Sequence, residues 1–384
     1  MRRRLVILTE IISPYRIPLF NALVQHEEVD LHVVFLAETD PTLRDWRVYK
    51  NEIRFSYEVL PSWRKRFGRY NWLLNRGVGR ALSKSAPDLI LCGGYNYVAS
   101  WQSLVWARVH GVPFILWSES NAKDLRRGHV LVELLKSVFL RKCSGFVVPG
   151  QPAQEYLQSE KNIRRDLIFT APNAVDNDLF VASAAVARRD AAGHRSSLGL
   201  PERYFLFVGR LVREKGVFEL LSAYVKLDES VRRQTGLVFV GDGVCRGRLQ
   251  EEAASISPGV VRFAGFAQRE QLATYYALAE MLVLPTYADT WGLVVNEAMA
   301  CGLPVILSRA AGCAADLLKE NWNGLLVPPR DAASLTVAMR YLADQPELRA
   351  TMGANSAQHI LHYSPKEWSG GIARLVEAKA GGRD

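Results

Sequence analysis

The chain contains few cysteines, and none of them forms a recognisable motif. Its five cysteines, at positions 92, 143, 245, 301 and 313, include no Cys-x-x-Cys pair and no spacing typical of a zinc site. These spacings argue against a disulfide-stapled domain and against a structural metal module. We expect buried free thiols in a protein of a reducing compartment.

Long apolar segments are also missing. The apolar run after the basic start is only a strand's length and ends at Glu10, so no signal peptide is expected. The longest uncharged stretch, 89–107, could span a bilayer by length, but it contains Gly93-Gly94 and four polar side chains. A strand, a glycine turn and a helix explain it better. We predict no membrane span, and the chain has no internal repeat or low-complexity tract.

The length and charge of the chain indicate how many domains it has and what kind of partner it faces. With 384 residues, 49% of them hydrophobic and 23% charged, the chain has the composition of an ordinary globular protein and is long enough for two domains. Residues 1–200 contain 28 Lys and Arg against 19 Asp and Glu, whereas residues 201–384 contain 20 of each. The whole excess of +9 lies in the first half, which is therefore expected to face an anionic partner.

Short apolar runs alternate with helical patterns along most of the chain. This alternation predicts an α/β fold with doubly wound parallel sheets, whose ligands bind at the carboxyl ends of the strands. The predicted domains are 1–180 and 201–364, joined by an Ala- and Arg-rich surface linker, 181–200, and followed by a helix in 365–384. The predicted strands are 5–9, 31–36, 55–60, 89–92, 113–117, 145–148, 167–171, 204–208, 237–240, 261–266, 305–306 and 324–327.

Two cations in the second half could hold a phosphate group. Arg210 follows the predicted strand 204–208, and Lys215 precedes the next helix. Arg210 supplies a bidentate pair of donors and Lys215 a point charge, so both can bind one diphosphate. Gly241-Asp242-Gly243 ends the next strand; it matches a dinucleotide fingerprint only weakly and more plausibly allows close backbone approach to a ligand.

The segment 286–307, TYADTWGLVVNEAMACGLPVIL, contains two acids, Asp289 and Glu297, ahead of and within a predicted helix. They are not a glycosidase pair, because eight helical residues span ~12 Å and a retaining pair needs ~5 Å. A polyol and phosphate clamp fits better, with Glu297 accepting from hydroxyls and the helix start facing an anion. The alternative is a core helix with one polar face.

This segment resembles the E-x7-E signature of the family 4 retaining glycosyltransferases (GT4), here in the form D-x7-E, and VGRLVREKG and PNAVDNDLF extend the resemblance. The resemblance implies a GT-B fold, two Rossmann-like domains facing a cleft, with the last helix crossing back onto the first domain. It implies a hexosyltransferase that moves a sugar from a UDP- or GDP-sugar to a glycan or lipid-linked acceptor in polysaccharide or glycolipid synthesis. Neither a cofactor nor a metal is expected, and Asp176-Asn177-Asp178 matches D-x-D by coincidence.

The resemblance, with the strand-end positions above, gives the expected site. Catalytic roles are expected for Arg210, Lys215, Asp289 and Glu119. Donor binding is expected of Gly209, Gly241, Asp242, Gly265, Phe266, Thr290, Trp291, Gly292, Leu293, Val294 and Glu297. Acceptor binding is expected of Tyr15, Arg16, Gly94, Tyr95 and Asn173. Two of these have plain alternatives: Glu119 lies between serines that could cap a helix, and Arg16 could be an ordinary exposed charge.

Seven basic residues and no acid lie between Glu58 and Asp88, interleaved with aromatic residues such as Trp63 and Trp72. This pattern suits an anionic membrane, a lipid-phosphate acceptor or single-stranded nucleic acid, or it is a solvated basic face. Given the resemblance, we expect a peripheral protein on the cytoplasmic face of the inner membrane, and no nucleic-acid partner. The rival functions are a nucleotide-sugar epimerase or phosphorylase, and a non-catalytic basic binding protein.

Overall fold

The computed structural model describes residues 2–40, 46–67, 70–121 and 130–380, and divides them into two compact units. The first unit takes the described residues up to 175 together with 364–380; the second takes 176–363. Within the described residues, no helix has both the length and the apolar character needed to cross a bilayer. Arg69 of the basic segment lies outside the described residues.

The first unit is built on a seven-stranded parallel sheet with strand order β3-β2-β1-β6-β7-β8-β9. The strands are β1 Arg3–Thr9, β2 Val29–Phe35, β3 Ser56–Val59, β6 Leu89–Cys92, β7 Phe114–Trp117, β8 Gly145–Val148 and β9 Ile168–Thr170. Alternate side chains of each strand pack into two separate cores, because successive residues of a strand point to opposite faces of the sheet. Leu5 and Ile7 join one core, and Val6 and Leu8 join the other.

Helices cover both faces of this sheet. They are α1 Ile17–Leu23, α2 Val78–Ser85, α3 Val98–Val109, α4 Val130–Lys142, α5 Gln151–Glu155 and α16 Pro365–Ala380. The helices α2, α3, α4 and α5 contribute to the core on one face, and α1 and α16 to the core on the other. Trp368 fixes α16 there: it is fully buried, with its ring 5.7 Å from Phe20 and 5.2 Å from Trp117.

An antiparallel hairpin, β4 Ser62–Phe67 and β5 Tyr70–Asn75, forms from the basic and aromatic segment. These strands were not predicted from the sequence. Leu73 on the inner side of the hairpin joins the same core as α2, α3 and α4. Asn75 donates to the Leu36 carbonyl at 2.5 Å, which ties the hairpin to the segment after β2.

The second unit contains a six-stranded parallel sheet with order β12-β11-β10-β13-β14-β15. Its strands are β10 Arg203–Val208, β11 Thr235–Val240, β12 Val261–Gly265, β13 Met281–Leu284, β14 Val305–Ser308 and β15 Gly324–Val327. Its helices are α6 Asn177–Arg189, α7 Ala191–Leu198, α8 Val217–Val225, α9 Glu229–Gln234, α10 Arg246–Ala253, α11 Arg269–Leu278, α12 Leu293–Ala300, α13 Ala314–Leu317, α14 Ala332–Ala343 and α15 Pro346–His359. The two parallel sheets confirm the predicted fold class.

Two details of the second unit differ from the sequence-based expectation. Residues 181–200 are not a loose surface linker but form most of α6 and α7, because Ala184 and Ala187 bury the small face of α6. The central strand β13 was missed, since it follows α11 in one nearly continuous apolar run whose period is ambiguous. The five cysteines are free thiols; three are buried, while Cys143 and Cys245 are half-buried.

We predict that Trp368→Ala destabilises the protein by about 3–5 kcal/mol, because it leaves a cavity between α16 and the sheet. The free energy of unfolding, measured with urea, checks this. Leu361→Ala is the matched control, since that side chain is exposed. Equal effects of the two substitutions would show that α16 is not anchored by its tryptophan.

Candidate functional site

An ion pair between Lys215 and Asp289 lies at the centre of the second unit's candidate site. The Lys215 ammonium contacts Asp289 Oδ2, and both side chains are about 15% exposed. Lys215 ends the short 3-10 turn after β10, and Asp289 lies in the loop between β13 and α12. The structure thus brings together two predicted catalytic residues that are 74 positions apart.

Tight backbone packing makes this pair possible. The Glu214 carbonyl accepts hydrogen bonds from the Tyr287 amide at 2.8 Å and the Thr286 hydroxyl at 3.1 Å. Gly216 has a φ of 69° and lies so close to Pro285 that a Cβ would overlap the Pro285 carbonyl. Glycine is therefore required here both for its backbone conformation and for the space.

The opposite side of the Asp289 loop is held by the segment after β14. A Cβ on Gly312 would overlap the carbonyl of Thr290, and the Cys313 amide donates to the Trp291 carbonyl at 3.0 Å. The loop that carries Asp289 is thus enclosed between two backbone segments. Neither Gly216 nor Gly312 was singled out from the sequence, because the partner of each is distant along the chain.

The remaining predicted donor positions surround this loop along the carboxyl edge of the sheet. Gly241 donates its amide to the Gly265 carbonyl at 2.7 Å, and Gly209 donates to the Val240 carbonyl at 3.0 Å. Asp242 pairs with Arg246 at 2.9 Å. The side chains of Phe266 and Arg210 are exposed, and within the described part of the chain no ion pair to Arg210 is found.

Gly292, whose φ is 103°, is the N-cap residue of α12 and directly follows the Asp289 loop. Leu293 and Val294 form its first turn and are half-buried, and Thr290 is exposed. The start of this helix presents backbone amides with partial positive charge beside the Lys215–Asp289 pair in sequence and in the fold. The edge therefore combines one exposed guanidinium, one paired ammonium and a helix start.

Two predicted donor side chains belong instead to the interior. Glu297 is fully buried and accepts a hydrogen bond from the Tyr276 hydroxyl at 2.6 Å. Trp291 is 3% exposed and donates to Asn296 Oδ1 at 2.9 Å. Both side chains are buried in this arrangement, and their donor-binding roles stay predictions. Tyr276 was not singled out from the sequence, because it lies on another helix, α11, 21 positions before Glu297.

In the first unit, the predicted residues Arg16 and Glu119 meet at the carboxyl ends of β1 and β7. The Arg16 guanidinium donates to Glu119 Oε1 at 2.7 Å and stacks on the Trp117 ring at 3.6 Å. Both charged side chains are partly exposed, and Arg16 Nη1 is buried with no hydrogen-bond partner in the described structure. A guanidinium held flat on an indole keeps its outer donors in a fixed plane.

The other predicted residues of the first unit lie near the same edge of its sheet. The Tyr15 ring packs edge-on against Trp46 at 5.8 Å, and Gly94 is half-buried. The Tyr95 ring faces the Lys136 ammonium at 5.3 Å, and Asn173 is buried. These positions lie near the strand ends, beside the contact between Arg16 and Glu119.

A charged cluster that the sequence analysis did not assign lies beside them. Arg64, from the inner side of the hairpin, pairs with the buried Asp40 and lies 3.6 Å from Glu10 Oε1. Burial, and to a lesser extent Glu10, raises the pKa of Tyr97 far above its ordinary value. Among the described residues, no set of three or more His, Cys, Asp or Glu is placed to hold a metal ion.

Two family models match this chain. The model "Glycosyl transferases group 1" covers residues 192–359, and "Glycosyltransferase Family 4" covers residues 19–179. Together they span both units. The chain belongs to glycosyltransferase family 4.

Named relatives agree with this class. The D-inositol 3-phosphate glycosyltransferase of Thermomonospora curvata is 29% identical over 57% of this chain and 52% of its own length. The putative teichuronic acid biosynthesis glycosyltransferase TuaC of Bacillus subtilis is 36% identical over 39% of this chain and 36% of its own. The chain spans about half the length of the first curated relatives it matches.

The fold has solved counterparts. Anabaena HepE, described in complex with UDP and glucose, superposes with a TM-score of 0.75 over 98% of this chain and 100% of its own, at 17% identity. A glycosyltransferase from Rickettsia africae has a TM-score of 0.76 over 99% of both chains, at 13% identity. These likenesses identify the fold as GT-B.

We predict that Tyr276→Phe costs about 1–3 kcal/mol of stability, because it removes a donor from a buried carboxylate. A double-mutant cycle with Glu297→Gln, followed by thermal unfolding, measures the coupling between the two side chains. The control is Tyr341→Phe, on the exposed face of α14. Additive effects would show that the Tyr276–Glu297 bond does not stabilise the fold.

Proposed function

We propose that this protein is a retaining glycosyltransferase that uses a nucleotide diphosphate sugar as donor. The observation that carries the proposal is the Lys215–Asp289 pair, held between two glycine contacts next to the start of α12 in a family 4 chain. A cation and a carboxylate side by side suit the two halves of such a donor. The cation meets the diphosphate, and the carboxylate meets the sugar hydroxyls.

The chemical task is to separate the sugar carbon from the diphosphate while negative charge grows on the leaving oxygens. Arg210 offers an exposed guanidinium with several donors, and Lys215 offers a compact charge. The ammonium has three donors, so its bond to Asp289 leaves others for a phosphate oxygen. The amides of Gly292 and Leu293 add a partial positive charge, and preorganised groups of this kind are the main source of stabilisation in such reactions.

Asp289 then serves both the lysine and the sugar. It orients the ammonium and accepts hydrogen bonds from sugar hydroxyls near the reacting carbon. In this scheme the acceptor attacks on the same face as the leaving group, and the leaving phosphate accepts the acceptor's proton, as the membership of family 4 implies. Arg210, Lys215 and the α12 amides carry the charge in this scheme, so it needs no metal and no cofactor.

On the acceptor side, we propose that Arg16 and Glu119 bind a glycan or lipid-linked acceptor. The stacked guanidinium suits a phosphate or another anionic group, and the carboxylate suits a hydroxyl. The excess of cations in residues 1–200 supports a peripheral position at an anionic, cytoplasmic membrane surface. Such a position suits the assembly of cell-surface polysaccharide or glycolipid.

The donor site is tested by screening UDP- and GDP-sugars, UDP-glucose first, for thermal stabilisation and turnover. We expect one donor to raise the melting temperature, and Arg210→Ala and Lys215→Ala each to lower kcat/KM about 100-fold, because each removes a charge that stabilises the leaving group. Arg213→Ala is the matched control, since Arg213 is an exposed arginine of the same turn.

Three results would count against this proposal. They are stabilisation by no nucleotide sugar, equal losses in the control, or conversion of the donor without an acceptor. The last result would indicate an epimerase, and a requirement for free phosphate would indicate a phosphorylase.

The acceptor site is tested with Arg16→Ala and Glu119→Gln. We expect each to raise the acceptor KM by at least tenfold while the donor-induced thermal shift stays unchanged, because the pair lies in the first unit and the donor groups lie in the second. Arg108→Ala, an exposed arginine of α3, serves as control. If the donor shift is lost as well, the pair is not specific to the acceptor.

A further inference from the structure

The exposed face of α4 is apolar. Leu134, Leu135 and Val138 are exposed on its outward side, while Phe139 and Leu140 face the core. The last turn adds two exposed cations, Arg141 and Lys142. A surface helix normally presents polar side chains to water, so an outward face of leucine and valine that ends in cations needs an explanation.

The neighbouring helix α3 repeats this pattern. Its outward stripe has the spacing i, i+4, i+7 and i+11, and consists of Val98, Gln102, Val105 and Val109, all of them exposed. Helical residues at these spacings lie on one side of the helix. The two helices are in contact, since the Trp101 ring of α3 lies 4.9 Å from the Phe139 ring of α4.

The hairpin contributes a third part of this surface. Its register pairs Trp63 with Leu74 and Lys65 with Trp72. Residues opposite each other, and those two apart on a strand, share one face of a hairpin. Both tryptophans, at 54% and 52% exposure, therefore lie on its outer face together with Leu74 and the exposed Lys65.

These three parts belong to one layer. Leu73 of the hairpin, Leu104 of α3 and Phe139 of α4 share the core on one face of the sheet. Within the described first unit, every exposed large apolar side chain except Tyr57 of β3 lies in this layer. We call the outward side of the hairpin, α3 and α4 the apolar layer.

Cations outnumber acids around the apolar layer, where Glu155 and Glu160, at the end of α5 and after it, are exposed acids. The exposed cations on the layer and on the adjacent α2 are Lys65, Arg76, Arg80, Lys84, Arg108, Arg141 and Lys142. The described hairpin strands, α2 and α3 contain no acid. Glu133, the one acid of α4, is bonded to Lys161 at 2.9 Å.

We infer that the apolar layer docks on the surface of an anionic lipid bilayer. This inference rests on the proposed function, because it names the surface at which a lipid-linked acceptor is met. Tryptophans and aliphatic side chains enter the headgroup boundary, and the surrounding cations attract anionic lipid. Single-stranded nucleic acid is less suited, because bases stack on aromatic side chains, which only the hairpin of this layer exposes, as Trp63 and Trp72, whereas α3 and α4 expose aliphatic ones.

The test is cosedimentation of the full chain with vesicles of phosphatidylcholine, with and without phosphatidylglycerol. We expect binding that needs the anionic lipid. The pairs Trp63→Ala/Trp72→Ala and Leu134→Gln/Val138→Gln are each expected to weaken it at least tenfold. Arg141→Gln/Lys142→Gln is expected to weaken it about fivefold for each charge removed. The matched control, Val186→Gln/Val337→Gln, changes exposed valines of the second unit and leaves binding intact.

Several outcomes would overturn the inference. These are no binding to anionic vesicles, equal losses in the control, tighter binding to an oligothymidine than to vesicles, or self-association of the protein that the same variants abolish. The thermal shift with the nucleotide sugar that stabilises the wild type is measured on every variant. A retained shift without vesicle binding rejects the docking surface alone, whereas a wild type that no nucleotide sugar stabilises rejects the donor proposal.

Discussion

The candidate donor site depends on one constraint, the close approach of backbone to backbone around the loop that carries Asp289. Gly216 lies against the Pro285 carbonyl on one side of this loop, and Gly312 lies against the Thr290 carbonyl on the other. Any larger residue at either position would separate Lys215 from Asp289. The ion pair joins two separate turns, and the glycine contacts hold these turns close enough for the two charges to meet.

The first unit reaches a comparable rigidity by a different route. The segment after the first strand contains no glycine and has the sequence SPYRIPLF. A side chain does the positioning instead: Arg16 is fixed in its plane by Trp117 and in its direction by Glu119. A guanidinium restrained from two sides loses little further freedom on binding an anion, which favours recognition by a small number of contacts.

The sequence was sufficient for elements whose pattern is local. The alternating apolar runs predicted both parallel sheets. Arg16 and Glu119 were expected in a site because each follows a predicted strand, and Lys215 because it precedes a predicted helix. Asp289 was expected there from the resemblance of its segment to family 4, since the strand before it, β13, was not predicted. Contacts between distant residues could not be read in this way. The hairpin was missed because Arg64 faces inward, where Asp40 and Glu10 neutralise it. The burial of Glu297 was likewise hidden, since its partner Tyr276 lies 21 residues away on another helix.

Cations are paired with acids in one part of the first unit and not in another. At β1 and β2 cations meet acids, as in the Arg4–Asp30 pair at 2.6 Å and the Arg3–Asp88 pair at 3.6 Å. The hairpin, α2 and α3 contain cations without any acid in their described residues. The excess that the sequence places in residues 1–200 is therefore concentrated beside exposed tryptophan, leucine and valine. Charge that is dispersed over a surface favours solubility. Cations that are concentrated at the border of an apolar surface repel one another, and this repulsion is relieved when an anionic surface covers them.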